Sequence, residues 1–161
     1  MSVSLVRLDD RLIHGQVTVG WAPALDIACI VLANDEVAGD EWEQTVYRGG
    51  TSADVDVLFH TVTGAAEAWR NGDFDDTTTL ILVESTTDAL QLLNSGAPLT
   101  SLNIGGLHHR ADCKKVLSYV FVDETDMENF RQLSQKSIEL ECRDTPHAKK
   151  LLLDSVVALS E

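Results

Sequence analysis

Residues 79–83 read TLILV and residues 27–33 read IACIVLA, two short runs in which almost every side chain is apolar. A strand with one solvent-facing side alternates apolar and polar residues, whereas a parallel strand covered by helices on both faces is apolar throughout. These two runs therefore predict the centre of a sheet that is covered on both sides. Five more β-rich runs lie at residues 3–8, 55–59, 101–104, 116–122 and 138–142.

Segments with helical spacing lie between these runs. Val62, Ala65, Ala66 and Trp69 share one helix face before Gly72. Similar patterns predict helices at 36–48, at about 87–94, around Met127, Phe130 and Leu133, and at the C-terminus through Ala148, Leu151, Leu152, Val156 and Leu159 after Pro146. Strands that alternate with helices predict an α/β fold with an open, doubly wound, mainly parallel sheet of about seven strands and helices on both faces.

Length and charge limit the kinds of function that fit. The 161 residues are enough for one domain, which we expect to span 1–161. The chain has 12 Lys and Arg against 26 Asp and Glu, and its formal charge of −14 argues against nucleic-acid or anionic-lipid partners. No apolar run reaches about 18 residues, so we expect no membrane insertion and a cytoplasmic protein.

The usual signatures of cofactor and metal sites are missing from the sequence. The three cysteines, Cys29, Cys113 and Cys142, are far apart, and we expect Cys29 and Cys142 to be small buried side chains. Neither GxxxxGKS, GxxxxGKT nor GxGxxG occurs. His108 and His109 are adjacent and point in different directions, which does not suit a metal site. We therefore expect no cofactor and no metal.

Two loops carry most of the polar chemistry. The loop after the first strand reads RLDDRLIHGQ over residues 7–16, and the loop after the fifth reads GGLHHRADCKK over residues 105–115. Loops at the carboxyl ends of parallel strands meet at one edge of the sheet. They contain five of the 12 basic residues, and the acids concentrate elsewhere, at residues 35–43, 73–76 and 123–128.

His14 is the candidate nucleophile in the first loop. Neutral imidazole offers a nitrogen lone pair near pH 7, and the guanidinium groups of nearby arginines bind the oxygens of a transferring phosphoryl group. Gly15 lets another protein approach the backbone, and the helix that follows offers N–H groups to an anion. The pattern favours a histidine that accepts and passes on a phosphoryl group.

Residues 7–16 resemble the signature loop of the IIB components in the mannose/fructose/sorbose family of the bacterial phosphoenolpyruvate-dependent sugar phosphotransferase system (PTS). Residues 31–37 (VLANDEV), 102–106 (LNIGG), 120–123 and 138–141 continue the resemblance. It implies a phosphorylated His14, Arg11 acting on the phosphoryl group, and a phosphate-binding loop with Arg7, Gly15 and Gln16 in which Asp10 orders the backbone. His108, His109 and Arg110 are candidate contacts from the second loop.

The resemblance also implies an activity and partners. A phosphorylated IIA protein would donate to His14, and the chain would act as a protein-Nπ-phosphohistidine–sugar phosphotransferase. The sugar, of the mannose/fructose/sorbose/amino-sugar class, would enter through membrane IIC and IID subunits, which would hold the protein at the inner face of the membrane. Two alternatives stay open: a regulatory phosphocarrier of an incomplete system, and a non-catalytic binding module. The phosphorylated nitrogen of His14 is also open, with Nδ1 the family's usual site.

Overall fold

A computed structural model describes residues 3–159. This part of the chain forms nine strands, which are β1 (Val3–Asp9), β2 (Cys29–Ala33), β3 (Asp56–His60), β4 (Thr79–Val83), β5 (Ser101–Gly106), β6 (Lys114–Leu117), β7 (Val120–Val122), β8 (Glu139–Cys142) and β9 (Leu151–Leu152). Seven of them form one sheet in the order β3-β2-β4-β1-β5-β8-β9. Every pair in it is parallel except β8 with β9. The predicted open, mainly parallel sheet is confirmed.

Helices cover both faces of this sheet. On one face, a π-helical segment (Gln16–Trp21) leads into α1 (Ala22–Ala24). On the same face, α2 (Asp35–Ala38) and α3 (Glu41–Gly49) follow β2. Trp21 and Val37 of these helices are buried in the core on this face. The other face is covered by α4 (Val62–Arg70), α5 (Thr86–Asn94) and α6 (Glu124–Gln135). Both β2 and β4 are buried along their whole length, as their apolar sequences predict.

The single helix predicted at 36–48 is wrong, because the structure has two helices there. Asp40 begins the second helix, and its Oδ1 atom accepts hydrogen bonds from the backbone N–H groups of Trp42 and Glu43. Asn34 caps the first helix in the same way, through Val37 N–H. Two side-chain caps six residues apart separate α2 from α3.

The run at 116–122 is not a strand of the main sheet. Its two halves lie in β6 and β7, which pair with each other as an antiparallel hairpin. The seventh strand of the main sheet comes instead from Leu151–Leu152, where we predicted a helix. That short strand pairs with Glu141 and Cys142 of β8, and a 3-10 turn (Leu153–Ser155) follows it. The predicted C-terminal helix is wrong because this segment pairs with β8 and buries Leu153 and Leu159, while Leu152 and Val156 stay exposed.

Cys29 and Cys142 are buried, as predicted, and neither forms a disulfide. Burial raises the pKa of the Cys29 thiol to about 11 and that of Cys142 to about 12. No helix among residues 3–159 is long and apolar enough to cross a membrane.

The fold places a crevice at the carboxyl end of β1. The segment after β1 packs on one face of the sheet. The other face holds α5, which follows β4, and α6, which follows β5 and the β6–β7 hairpin. In open α/β sheets, ligands bind where connections diverge in this way. The two polar loops predicted from the sequence both border this crevice.

Candidate functional site

Arg7 is the buried anchor of the first loop, with no exposed surface. Its Nη1 donates to Oδ1 of Asn103 at 2.7 Å, and its Nη2 donates to the carbonyl of Asp144 at 2.9 Å. The guanidinium carbon lies 5.2 Å from the centre of the Trp21 ring. Burial lowers the pKa of Arg7, and the charge of Asp9 opposes that effect. We predicted Arg7 as a phosphate-binding or loop residue, and the structure gives it contacts that hold the loop.

Gly105 makes room for this arginine. A Cβ atom at this position would lie 2.0 Å from Cζ of Arg7, closer than any non-bonded contact allows. The first glycine of the LNIGG segment is therefore required by the packing of the Arg7 guanidinium against the β5 backbone.

Asp9 is a central residue that the sequence analysis did not select. Its fully buried carboxylate accepts from Nη2 of Arg7 at 3.1 Å, and from Nε and Nη2 of Arg11, each at 3.1 Å. Its Oδ2 also lies 3.5 Å from Nε2 of His14. Alternate residues of a strand share one side, so the spacing of Arg7 and Asp9 was the signal that could have identified the pair.

Arg11 reaches the surface of the site. Its side chain is 35% exposed and binds both oxygens of Asp9, a two-point contact that fixes the guanidinium plane. Nη2 also donates to Oε1 of Gln16 at 2.9 Å, and Arg7 donates to the same oxygen at 3.2 Å. Gln16 thus links the two arginines, and Arg11 keeps an exposed edge for a ligand.

The His14 ring is held at one nitrogen, and its other nitrogen faces a carboxylate. Its Nδ1 lies 2.8 Å from the carbonyl oxygen of Leu12, and its buried Nε2 faces Asp9 without a hydrogen-bond partner among the described residues. A carbonyl oxygen only accepts, so Nδ1 carries the proton in this arrangement. Leu12 has a φ of 57°, a left-handed conformation that costs a non-glycine residue energy. Beside the ring, a Cβ atom on Gly15 would meet no atom within 4 Å, so the backbone here is open to approach.

Asp10 joins the first loop to the second. Its Oδ1 lies 2.6 Å from Nδ1 of His108, and its Oδ2 accepts from the His108 backbone N–H at 2.8 Å. The Asp10 backbone N–H donates to the carbonyl of Gly106 at 3.0 Å. The structure therefore brings the two loops together at Asp10, through a contact with His108 that the sequence did not predict.

The other two candidates of the second loop point elsewhere. His109 packs edge-on against Phe121, with ring centres 5.5 Å apart. Arg110 donates to Oδ2 of Asp126 at 2.6 Å and lies 3.7 Å from Asp123. Burial alone would lower the pKa of Arg110, but Asp126 outweighs it and the net direction is upward. The expectation that the acids of 123–128 lie away from the active loops is therefore wrong, since this group takes Arg110.

Among residues 3–159, no group of three or more His, Cys, Asp and Glu side chains is arranged to hold a metal ion. The chemistry available at the crevice is that of an imidazole, a paired carboxylate and a partly exposed guanidinium.

Comparison with known proteins gives consistent matches over most of the chain. The sequence profile of the family described as "PTS system sorbose subfamily IIB component" matches residues 3–161. The sorbose-specific EIIB component of Klebsiella pneumoniae is 32% identical over 143 residues, which cover 89% of this chain and 87% of that protein. The fructose-specific EIIB component of Bacillus subtilis (strain 168) is 30% identical over 91% of this chain and 90% of that protein.

The fold has a counterpart of known structure. The crystal structure of the IIBSor domain of the sorbose permease from Klebsiella pneumoniae superposes with a TM-score of 0.85 at 30% identity, over 94% of this chain and 93% of that one. Sequence family and fold therefore agree.

Proposed function

Because this chain belongs to the sorbose-subfamily IIB components of the PTS, we propose that His14 accepts a phosphoryl group and passes it to a sugar. The observation that carries the proposal is the contact of one buried carboxylate, Asp9, with both Arg11 and the His14 ring. A nucleophilic imidazole beside a fixed guanidinium is the pair of groups that phosphoryl transfer through histidine requires.

Each group has a part in the transfer. A lone pair of the His14 ring forms the new N–P bond, and the donor nitrogen keeps the electron pair of the bond that breaks. The exposed edge of Arg11 balances charge on the phosphoryl oxygens, and its two bonds to Asp9 hold it in place. Arg7, Asp10, Gly15 and Gln16 shape the loop around these two residues.

The family's usual nitrogen, Nδ1, is the one that we propose His14 uses. In the arrangement described, Nδ1 is bonded to the carbonyl of Leu12, so the ring must leave that carbonyl before Nδ1 can attack phosphorus. Attack also requires that the ring lose its Nδ1 proton to solvent and take one up on Nε2, the atom that lies 3.5 Å from the Asp9 carboxylate before the ring moves. Asp9 would stabilise the phosphorylated ring by accepting from Nε2–H.

Partners and substrate follow from the family. We propose a phosphorylated IIA protein as the donor, membrane IIC and IID subunits as the sugar-carrying partners, and a place in the cytoplasm at the inner face of the membrane. The substrate class is that of mannose, fructose, sorbose and amino sugars, and the relatives named for sorbose and fructose support it. The activity is that of a protein-Nπ-phosphohistidine–sugar phosphotransferase.

The test is phosphorylation of His14. The protein is incubated with labelled phosphoenolpyruvate, the general phosphotransferase proteins and a IIA donor of this family, and the label is located by peptide mapping. We expect one acid-labile phosphate on His14, none on the His14→Ala variant, and normal labelling of the control His60→Gln, whose ring packs on Phe74 in another part of the sheet. Equal labelling of His14→Ala and the parent would refute the proposal.

A further inference from the structure

His108 and Asp10 form the closest ion-pairing contact between the two loops. The carboxylate meets the histidine twice, at Nδ1 (2.6 Å) and at the backbone N–H (2.8 Å), so the orientation of the ring is fixed. The His108 side chain is 48% exposed and that of Asp10 is 24% exposed. With Nδ1–H directed to Asp10, Nε2 is the free nitrogen of the ring, and it has no hydrogen-bond partner among residues 3–159.

The His108 ring lies beside Arg11. A Cβ atom on Gly106 would lie 3.2 Å from Cε1 of His108, 3.3 Å from Nη2 of Arg11 and 3.2 Å from Oδ1 of Asp9. Three side chains from two loops therefore converge on one side of this glycine. Cε1, the ring atom next to Nε2, therefore lies on the same side of this glycine as the guanidinium of Arg11.

The charged groups of the two loops leave the site without a net positive charge. Arg7 and Arg11 both pair with Asp9, and Asp10 adds a second negative charge. These four groups sum to zero, whereas a phosphoryl group on histidine carries about two negative charges. Arg110 adds no net positive charge to the site, because it is paired with Asp126 and Asp123. A protonated His108 would make the site net positive.

We infer that His108, protonated and oriented by Asp10, supplies the positive charge that pairs with the phosphoryl group carried by His14. This inference rests on the proposed function and adds a second-loop residue to it. Nδ1–H donates to Asp10, and Nε2–H donates to a phosphoryl oxygen on the side of Arg11. The proton on Nε2 is held through the transfer and does not move.

Other charged groups around His108 set its environment. Asp9, Asp10 and Arg11 face it from the first loop, and Arg110 is on its own loop. Beyond Asp10 lies a groove of about 370 Å³, which Asp10 lines together with Glu84, Arg110, Asp123 and Asp126. Most of these groups are acidic, so a positive charge on the His108 ring would lie among negative charges.

The experiment uses phosphoramidate, a small phosphoryl donor that needs no protein partner and releases ammonia as its P–N bond breaks. Rates of His14 phosphorylation are measured at pH 6 and pH 8.5 for the parent, His108→Gln, His108→Lys and the control His60→Gln. A histidine charge is present at the lower pH and absent at the higher, whereas a lysine charge is present at both.

At pH 6 we expect His108→Gln to react about tenfold more slowly than the parent, the size of one charge-assisted contact. At pH 8.5 the two should agree within about twofold, with His108→Lys faster than both and His60→Gln equal to the parent at each pH. A parent-to-Gln rate ratio that is the same at both pH values would overturn the inference, since only a structural role would remain. Failure of the parent to be labelled on His14 would instead remove the proposed function itself.

Discussion

The Nδ1 atom of His14 lies 2.8 Å from the carbonyl oxygen of Leu12, two residues earlier. Leu12 reaches this position with a φ of 57°, and its side chain is buried, with 1% exposure. Burial of the Leu12 side chain in the core thus offsets the energetic cost of its left-handed conformation. That conformation places the Leu12 carbonyl on Nδ1 and so fixes the tautomer of the His14 ring.

The first prediction concerns that tautomer. In the unphosphorylated protein the neutral His14 ring should carry its proton on Nδ1, because the Leu12 carbonyl can only accept. Ring nitrogen shifts measured by nitrogen-15 NMR distinguish the two tautomers. Among residues 3–159, the His60 ring packs on Phe74 and makes no hydrogen bond at either nitrogen, so it serves as the comparison. A neutral His14 that is mainly protonated on Nε2 would contradict the geometry.

The second prediction concerns Asp9. Asp9→Asn leaves the buried Arg7 guanidinium without its anion, and we expect the free energy of unfolding to fall by about 3 kcal/mol. The same change releases Arg11, and loss of its alignment should slow phosphorylation of His14 about a hundredfold. Urea unfolding and single-turnover labelling measure the two effects. Asp76→Asn, at an exposed position, is the control, and a parent-like labelling rate for Asp9→Asn would remove Asp9 from the site.

The third prediction separates function from stability at Arg11. Since its side chain is 35% exposed, Arg11→Ala should change the free energy of unfolding by less than about 1 kcal/mol. Transfer from phosphorylated protein to sugar should slow about a hundredfold, and Arg11→Lys should restore little, because an ammonium cannot bind both oxygens of Asp9 in a fork.

Transfer is followed as loss of label to sugar on membranes that contain IIC and IID subunits. Arg48→Ala is the matched control, because Arg48 stacks on Phe59 of the edge strand β3. Unchanged transfer by Arg11→Ala would exclude Arg11 from the phosphoryl step.

The fourth prediction uses two glycines. Gly105→Ala would place a Cβ atom 2.0 Å from Arg7 Cζ, and we expect a loss of about 3 kcal/mol in the free energy of unfolding together with slower labelling. Gly49→Ala meets no atom within 4 Å and should stay within about 0.5 kcal/mol of the parent. Thermal and urea unfolding of the two variants give the comparison. Equal stabilities would mean that Arg7 does not pack on β5 as described.

The fifth prediction is a pH dependence at Asp88. Burial, followed by the charges of Asp35 and Glu84, raises its pKa from 3.8 to about 6. A carboxyl whose pKa is raised by folding destabilises the folded state when ionised, so this cost develops between about pH 4 and pH 6 and is complete above that range. Asp88→Asn should therefore be more stable than the parent by about 1 kcal/mol at pH 7.5, a figure discounted for solvent screening because the side chain is only half-buried.

The matched measurement is urea unfolding of both proteins at pH 4 and at pH 7.5. The two should be nearly equal at the lower pH, where the carboxyl is protonated in the folded state. A constant difference at both pH values would assign the effect to the amide substitution and not to ionisation.

Most of the sheet could be predicted because its strands are buried on both faces. A fully apolar run such as Thr79–Val83 has few ways to fold other than as a central strand. The segments beside the edge of the sheet were harder to predict. The run at 116–122 is compatible with one long strand or with a hairpin, and the stripe that ends at Leu159 is compatible with a helix or with a short strand and a turn. Strand pairing decided both cases, since β6 pairs with β7 as a hairpin and β9 pairs with β8.

By itself, the sequence determined the doubly wound class and the loop around His14, because apolar runs and a continuous local motif are properties of neighbouring residues. Only the tertiary structure decided which charges meet. It buried Arg7 and Asp9 beneath the loop, turned Arg110 towards Asp126, and set His108 on Asp10, 98 residues away in the chain. Ion pairs depend on distances across the fold, and such distances are fixed by strand order and core packing.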